Sequence, residues 1–530
     1  MRAILTSVAL AALMAAAWGT QAQGVAVPVK LDPSIGGAQS GRILVFAQKV
    51  NPGDKPSDAV DSEEFKPSDT AIAAHEVTAL QPGATATVDA ETDTFPAAFS
   101  KLPAGTYRFQ AVLDRNHDYN YAGRGAGDIV SAVVETALPG PAPVLTLDKV
   151  LPEKTLDQIL ATLPADRAAV YRQGLSGLRA VDFVSPALSA FWGRPIHVRG
   201  WVALPPGYQD VSGKTGTRYP TVYSTGGFGS TLMSAQLSAA GMAGMMAKGD
   251  APPMIWVYLD QSSATGTHEF ADSVNNGPWG QALTSEFIPW IEKQYAMDAV
   301  PSSRFLTGHS SGGWATLWLQ VRYPAVFGGS WPTSPDPSDF HDFTGIDLYA
   351  PGANAYRDAE GHAYPLYRDH AKLLATFEQF ARMEAVLGAY GGQITSFDWV
   401  FSPKGADGRP IPMFDRASGK VDPAVVAYWH DHYDVAHIVT RDWSTLKPDL
   451  DGKIHLYVGT ADSFYLDGAA HRLQAAFQTL GAHEDITFVP DKTHFDLFVV
   501  GTDRQALMKT IAWDMYARAR PGAVRPTVKP

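Results

Sequence analysis

The 530-residue chain contains no cysteine. That absence removes disulfides, a thiol nucleophile and thiolate metal sites together, so the fold rests on packing and any covalent chemistry falls to other side chains. Positive charge is also scarce. Only 42 Lys and Arg stand against 54 Asp and Glu, and the net charge of −12 argues against nucleic acid or an anionic membrane surface as partner. After the first two dozen residues there is no run of about eighteen apolar residues, so no stable membrane insertion is expected. No propeller-like repeat is visible either, which weakens a peptidase reading. What is present in quantity is core: hydrophobic residues make up 45% of a chain too long for one hydrophobic centre, which predicts two domains.

Residues 1–22 combine Arg2, an apolar run from Ile4 to Trp18 and small residues around Thr20-Gln21-Ala22, the pattern of a signal peptide. It implies a periplasmic or secreted mature protein. Residues 23–150 carry short β-rich runs at 42–48, 84–89, 105–113, 129–135 and 143–147, separated by Pro, Gly and Asp, and predict a small β-sandwich-like accessory domain. Within it, Asp114 to Asn120 place oxygen side chains on alternate positions, as a cation-binding loop does. Position twelve is Gly125, however, and the central glycine is missing, so a loop that caps its own backbone is the favoured reading. Residues 151–180 read as a helical connection broken at Pro164. From 181 to 520 strands alternate with helices, which predicts a mainly parallel sheet with helices on both faces, interrupted by a cap insertion at about 334–442.

The pivotal stretch is Arg304 to Trp314. A short apolar run leads to Gly308-His309-Ser310-Ser311-Gly312, and an apolar helical pattern follows. A serine on so tight a strand-to-helix turn needs glycine two residues to either side and lifts its hydroxyl above the sheet. In a parallel sheet the chemistry lies beyond the carboxyl ends of the strands. Asp462 follows the strand pattern ending at Thr460, and His494 follows the one ending at Pro490, which gives the chain order Ser310, Asp462, His494. Those three types suffice for nucleophilic catalysis: the imidazole takes the serine proton and the carboxylate fixes the imidazole tautomer. Asp467 and Asp496 are local competitors for the acid role, and His483 precedes its strand at the wrong end of the sheet. The oxyanion donors are expected to be the backbone N–H groups of Ser311 and Phe228, with Gly227 the alternative to Phe228 in Thr225-Gly226-Gly227-Phe228-Gly229. Gly227, His309, Asn276 and Trp279 are expected at the substrate, the last two because residues 265–280 follow a strand end; a solvated surface loop explains that stretch as well. Phe340, Phe343, Tyr349, Trp399, Phe401, Tyr428 and Trp429 could line a site mouth or form the core of the cap, and His430, His432 and His437 fit no familiar metal-ligand spacing.

The elbow, the Thr460-Ala461-Asp462 strand end and the Thr493-His494 pair, with Pro205-Pro206-Gly207-Tyr208 and Pro324-Ala325-Val326-Phe327-Gly328, resemble the esterase D-like putative esterase family. That family includes enterochelin esterases, feruloyl esterases, S-formylglutathione hydrolases and mycolyltransferases. Covering roughly 181–518, the resemblance implies an α/β-hydrolase fold and a serine esterase mechanism with no cofactor and no metal, acting on a small-molecule or glycan ester. Acyl transfer to a sugar or lipid alcohol is the alternative within catalysis, and a carbohydrate- or surface-binding protein on a hydrolase scaffold is the alternative outside it.

Overall fold

A computed structural model describes residues 24–209 and 216–523. The predicted signal peptide lies outside the described residues. The chain divides into two compact units, discontinuous in sequence. The first holds the described residues up to Ser62, Ser68–Arg115 and Ile129–Lys149; the second holds Glu63–Pro67, Asn116–Asp128 and everything from Val150 onward.

The first unit is strand-rich, as expected. Its nine strands join in one hydrogen-bonded sheet, in which Gln39–Lys49 pairs antiparallel with both Thr70–Leu80 and Gly105–Asp114. Alternate residues (Val27, Val29 and Leu31; Ile43, Val45 and Ala47; Phe109, Ala111 and Leu113) turn to one core, the period-two burial of a strand with a covered face.

The second unit is built on an eight-stranded sheet: β1 (Leu178–Val184), β2 (His197–Ala203), β3 (Thr221–Thr225), β4 (Ile255–Leu259), β5 (Arg304–His309), β6 (Gly329–Thr333), β7 (His455–Gly459) and β8 (Asp485–Val489). Their spatial order is β1-β2-β4-β3-β5-β6-β7-β8. The first two pairings are antiparallel and the rest parallel, so the sheet is mainly parallel with an antiparallel edge. Central strands are buried almost throughout because both faces are covered. Tyr223, Ile255, Val257 and Leu306 enter one core, while Val222, Trp256 and Phe305 enter the other. This is the expected α/β-hydrolase architecture.

The principal helices are α1 (Leu156–Ala161), α2 (Ala165–Leu175), α3 (Leu232–Lys248), α4 (Ser311–Arg322), α5 (Phe377–Leu387), α6 (Gln393–Phe401), α7 (Pro423–Tyr433), α8 (Val435–Leu450), α9 (Leu466–Leu480) and α10 (Ala506–Ala519). The predicted helical connection is split at Pro164, which sits at the N-terminal boundary of α2. Helix α2 lies tight on α3: a Cβ at Gly174 would fall 2.0 Å from the Ala240 carbonyl oxygen. Residues 334–442 supply α5, α6, α7, the first half of α8 and the hairpin Pro365–Asp369/Lys372–Thr376. Phe340, Phe401 and Trp429 are buried against one another, so these aromatics form the core of the insertion. Among the described residues no helix is long and apolar enough to cross a membrane.

Candidate active site

Strand β5 runs parallel between β3 and β6 and delivers the chain to Ser310 at the sheet's carboxyl edge. Ser310 sits at φ 59°, ψ −126°, a region that a residue with a Cβ adopts only under strain, and α4 begins at the next residue. The flanking glycines have a steric cause. A Cβ at Gly308 would lie 2.1 Å from the Gly312 carbonyl oxygen, and one at Gly312 would lie 2.4 Å from the carbonyl oxygens of both Thr225 and Gly226. The loop after β3 therefore presses on the turn. At Gly227 a Cβ would come within 3.1 Å of Ser310 Cβ, which places that residue beside the nucleophile position.

Phe228 N–H, in the same loop, has no hydrogen-bond partner among the described residues. Gln261 Nε2 donates to the Gly226 carbonyl, and Tyr121 O–H donates to the Ser230 carbonyl at 2.6 Å, so the loop is held at both ends. The Tyr121 ring meets the Phe228 ring edge-on at 5.1 Å. The Ser311 N–H opens α4, where first-turn amides lack an intrahelical acceptor.

His494 and Asp462 meet across the ends of β7 and β8. The Nδ1 of His494 lies 3.0 Å from Asp462 Oδ2, with both side chains buried. Asp462 Oδ1 accepts the Phe464 N–H at 2.9 Å. Burial pushes the Asp462 carboxyl up, but the His494 imidazole and these hydrogen bonds outweigh it and hold it below the usual aspartate range. The two competing acids are engaged elsewhere: Asp496 accepts from the Thr493 N–H and hydroxyl, and Asp467 pairs with Arg368 at 3.1 Å. His309 Nδ1 lies 3.0 Å from Thr333 Oγ1, and its ring centroid is 4.3 Å from that of His494. Burial, and then repulsion from His494, push its pKa down, so His309 stays a neutral packing partner of the imidazole.

Asn276 and Trp279 are placed differently from expectation. Both are buried inside the 265–280 loop, where the Asn276 carbonyl accepts from Trp279 Nε1 at 3.0 Å and from Trp192 Nε1 at 3.1 Å. Trp279 stacks on His268 at 3.5 Å. They pack the loop and do not line the pocket that holds Ser310. The loop is likewise not a solvated surface excursion, since most of its residues are buried.

One carboxyl beside Ser310 escaped the sequence reading. Asp336, just past β6, accepts a hydrogen bond from Ser311 Oγ at 2.6 Å, and its Oδ1 lies 3.5 Å from Ser310 Oγ. Burial raises it to about 6. An acid at the carboxyl end of a central strand is the signal that could have found it, the same signal that located Asp462. Glu269 lies completely buried in the loop after β4, and burial, with Asp336 adding to the effect, raises it well above the glutamate range.

A narrow pocket of about 30 Å³ opens on Ser310 and Asp336 and is lined mainly by apolar residues, among them Phe343, Phe377, Phe397 and Phe464. Three of those four come from the 334–442 insertion, so this segment shapes the space beside the serine as well as its own core.

The family model described as Putative esterase matches residues 189–480, which is more than half of the chain and spans Ser310, Asp336 and Asp462. The chain belongs to this esterase family. It is accordingly a serine hydrolase acting on carboxylic esters. No curated protein matches the chain. Similar solved structures include a ferulic acid esterase (13% identity, TM-score 0.38, covering 65% of this chain and 97% of that one). An S-formylglutathione hydrolase from Agrobacterium tumefaciens is similar at 14% identity, with a TM-score of 0.36 and coverage of 64% and 95%. A ferulic acid esterase from Anaeromyces mucronatus is similar at 14% identity, with a TM-score of 0.32 and coverage of 63% and 88%. Membership in the esterase family rests on the family model.

Proposed function

We propose that this esterase is an exported enzyme that works through an acyl-enzyme on Ser310, with His494 as general base and Asp462 holding the imidazole. The observation that carries this reading is the strained Ser310 turn at the end of β5 in the same unit as a buried His494–Asp462 pair with a 3.0 Å hydrogen bond. In the reaction the Ser310 hydroxyl gives its proton to His494 and attacks the ester carbonyl, and the oxyanion is received by the Phe228 and Ser311 N–H groups. His494 then protonates the leaving alcohol, and water, deprotonated by the same imidazole, releases the acid. Among the described residues the Ser310 hydroxyl makes its one side-chain contact with Asp336, at 3.5 Å, and is not hydrogen-bonded to His494, an engagement that belongs to the substrate complex. Export rests on the signal-peptide pattern of residues 1–22.

The test is hydrolysis of a short-chain aryl ester panel by the wild type and Ser310→Ala, with a fluorophosphonate label mapped by mass spectrometry. Wild type is expected to turn over and to label at Ser310, and the variant to lose at least about 10³-fold in kcat and all labelling. Labelling at another serine, or equal turnover by both proteins, overturns the assignment.

A further inference from the structure

The spaces that border the Ser310 turn differ greatly in size. The pocket that opens on Ser310 itself holds about 30 Å³. A cavity of about 620 Å³ lies behind the turn, on the sheet face that α3 and α10 cover, and Ser310 is not among its lining residues. Its floor is made by the ends of β3 and β5, Ser224 to Gly226 and Thr307 to His309, and its walls by α2, α3 and residues 498–508. Packed interiors leave few voids larger than a water molecule, whereas small-molecule sites enclose about 300–1,000 Å³. The cavity is open to solvent: Arg167, Ser238, Lys248 and Arg504 are exposed at its rim, while Ser224, Met242, Tyr258 and Thr307 are buried within it.

Its two ends differ in chemistry. Helices α2 and α3 run antiparallel, since Gly174 abuts Ala240 and Gly244 abuts Val170, and this brings Arg167 to the Lys248 end of α3. Lys509 draws Arg504 to the same end by pairing with Asp250, two residues past Lys248, at 3.2 Å and with Asp503 at 3.0 Å. Among the described residues none of Arg167, Lys248 and Arg504 has a carboxylate partner. The acids nearby are already engaged, Asp503 by Lys509 and Asp166 by its place in the first turn of α2, where a helix end favours negative charge. Three unmatched cations in a chain of net charge −12 mark an anion site. At the other end Ser238 meets Ser224 and Tyr258, which are 6% and 8% exposed and whose hydroxyls have no hydrogen-bond partner among the described residues. Ser238 and Lys248 are ten residues apart on α3, so about 15 Å separates the ends. Between them the wall is apolar and adaptable, with Leu237, Met242, Met245 and Met508.

We infer that this cavity binds a carboxylate whose apolar chain ends in a hydroxyl, a long hydroxy acid. The carboxylate lies among Arg167, Lys248 and Arg504, the chain lies along the methionines, and the terminal hydroxyl pairs with Ser224 and Tyr258. A carboxylate is also what ester hydrolysis releases, so the ligand is of the enzyme's own product class. The site is separate from the catalytic serine and does not depend on which serine is the nucleophile.

The experiment is titration calorimetry on the full chain with three ligands of one length, 10-hydroxydecanoate, decanoate and 1,10-decanediol. The wild type is expected to bind 10-hydroxydecanoate most tightly, decanoate about threefold or more weaker and the diol about tenfold weaker. Arg167→Gln with Arg504→Gln, both at exposed positions, should bring the hydroxy acid close to the diol. Equal affinity of the wild type for hydroxy acid and diol overturns the anion site, and equal affinity for hydroxy acid and decanoate overturns the hydroxyl end; neither result needs a variant to fold. An affinity unchanged in the double variant overturns the location. Protein labelled at Ser310 with a fluorophosphonate should still bind the hydroxy acid, and loss of binding on labelling would place the ligand at the catalytic serine and overturn the inference. If no serine labels and no ester is hydrolysed while 10-hydroxydecanoate binds as expected, the catalytic assignment falls and the cavity site stands.

Discussion

Asp336 shows what a single buried carboxyl beside a nucleophile does to the rest of the protein. Its pKa is raised to about 6 by burial, against the downward pull of the Ser311 hydrogen bond. The folded protein therefore holds this proton more tightly than the unfolded chain does, where an aspartate titrates near 4. The resulting stabilisation is complete below about pH 4 and is lost as the pH rises through about 6, a change of about 3 kcal/mol for a shift of this size. Asp336→Asn removes the titration while keeping an oxygen to accept from Ser311. Urea denaturation of both proteins at pH 4.5 and pH 8 should show the stability difference, wild type minus variant, falling by about 2 kcal/mol over that interval. Parallel pH profiles would mean that water or a counter-charge already satisfies the carboxyl. The sequence placed Ser310, Asp462 and His494 because each stands on a loop past a recognisable apolar strand. It did not distinguish Asn276 and Trp279 as packing residues, because a polar loop after a strand end carries the same letters whether it faces substrate or folds in on itself.

At the scale of elements, legibility followed the strength of each local pattern. The runs at 221–224, 254–259 and 304–307 are buried almost throughout because both sheet faces are covered, and the split of their apolar side chains between the two cores confirms the cause. Strand Ala26–Leu31 was missed since Pro28 interrupts it, and Thr70–Leu80 since only its first half is buried. Pro164, in contrast, marked the break between α1 and α2 from sequence alone. The α2–α3 contact was invisible there, because a glycine in a helix advertises no partner. Its closeness makes a sharp prediction. Gly174→Ala would set a methyl group 2.0 Å from the Ala240 carbonyl oxygen, and backbone on both sides leaves no flexible side chain to yield. Although alanine is the better helix former by about 1 kcal/mol, overpacking costs about 1–3 kcal/mol and should win. Thermal unfolding should show a lower Tm for the variant; a raised Tm would mean that α2 shifts outward without loss of packing.

For the molecule as a whole, the decisive point is that the catalytic unit does not begin where the composition changes. Residues 63–67 and 116–128 belong to it although they lie among the strands of the first unit in sequence. Nothing in a window-by-window reading could show this, since short polar stretches between strands look like ordinary hairpin loops, and Asp128 does cap the Gly125 N–H as such a loop would. Their contacts within the catalytic unit are specific. Asn120 Nδ2 donates to the Glu384 and Gly388 carbonyls at 2.9 and 2.7 Å, and Tyr121 braces the oxyanion loop through Ser230. Phe65 packs on Tyr367 at 4.3 Å and Phe495 at 5.6 Å, and on Phe464, whose ring meets His494 edge-on at 4.9 Å. A chain started at residue 151 keeps the sheet, Ser310, Asp462 and His494 but loses all of these. Three hydrogen bonds and the three ring contacts of Phe65 amount to about 4–6 kcal/mol, enough to lower Tm, and two of the losses fall on groups packed against the Gly226–Ser230 loop and, through Phe464, against His494. The truncated protein should therefore fall in kcat more than the loss of stability explains at a temperature where it remains folded by circular dichroism. Asn120→Ala with Tyr121→Phe in the full chain should reproduce part of both effects. If residues 151–523 match the full chain in Tm and in kcat, the two segments are passengers, and the catalytic unit is the continuous domain that its composition suggests.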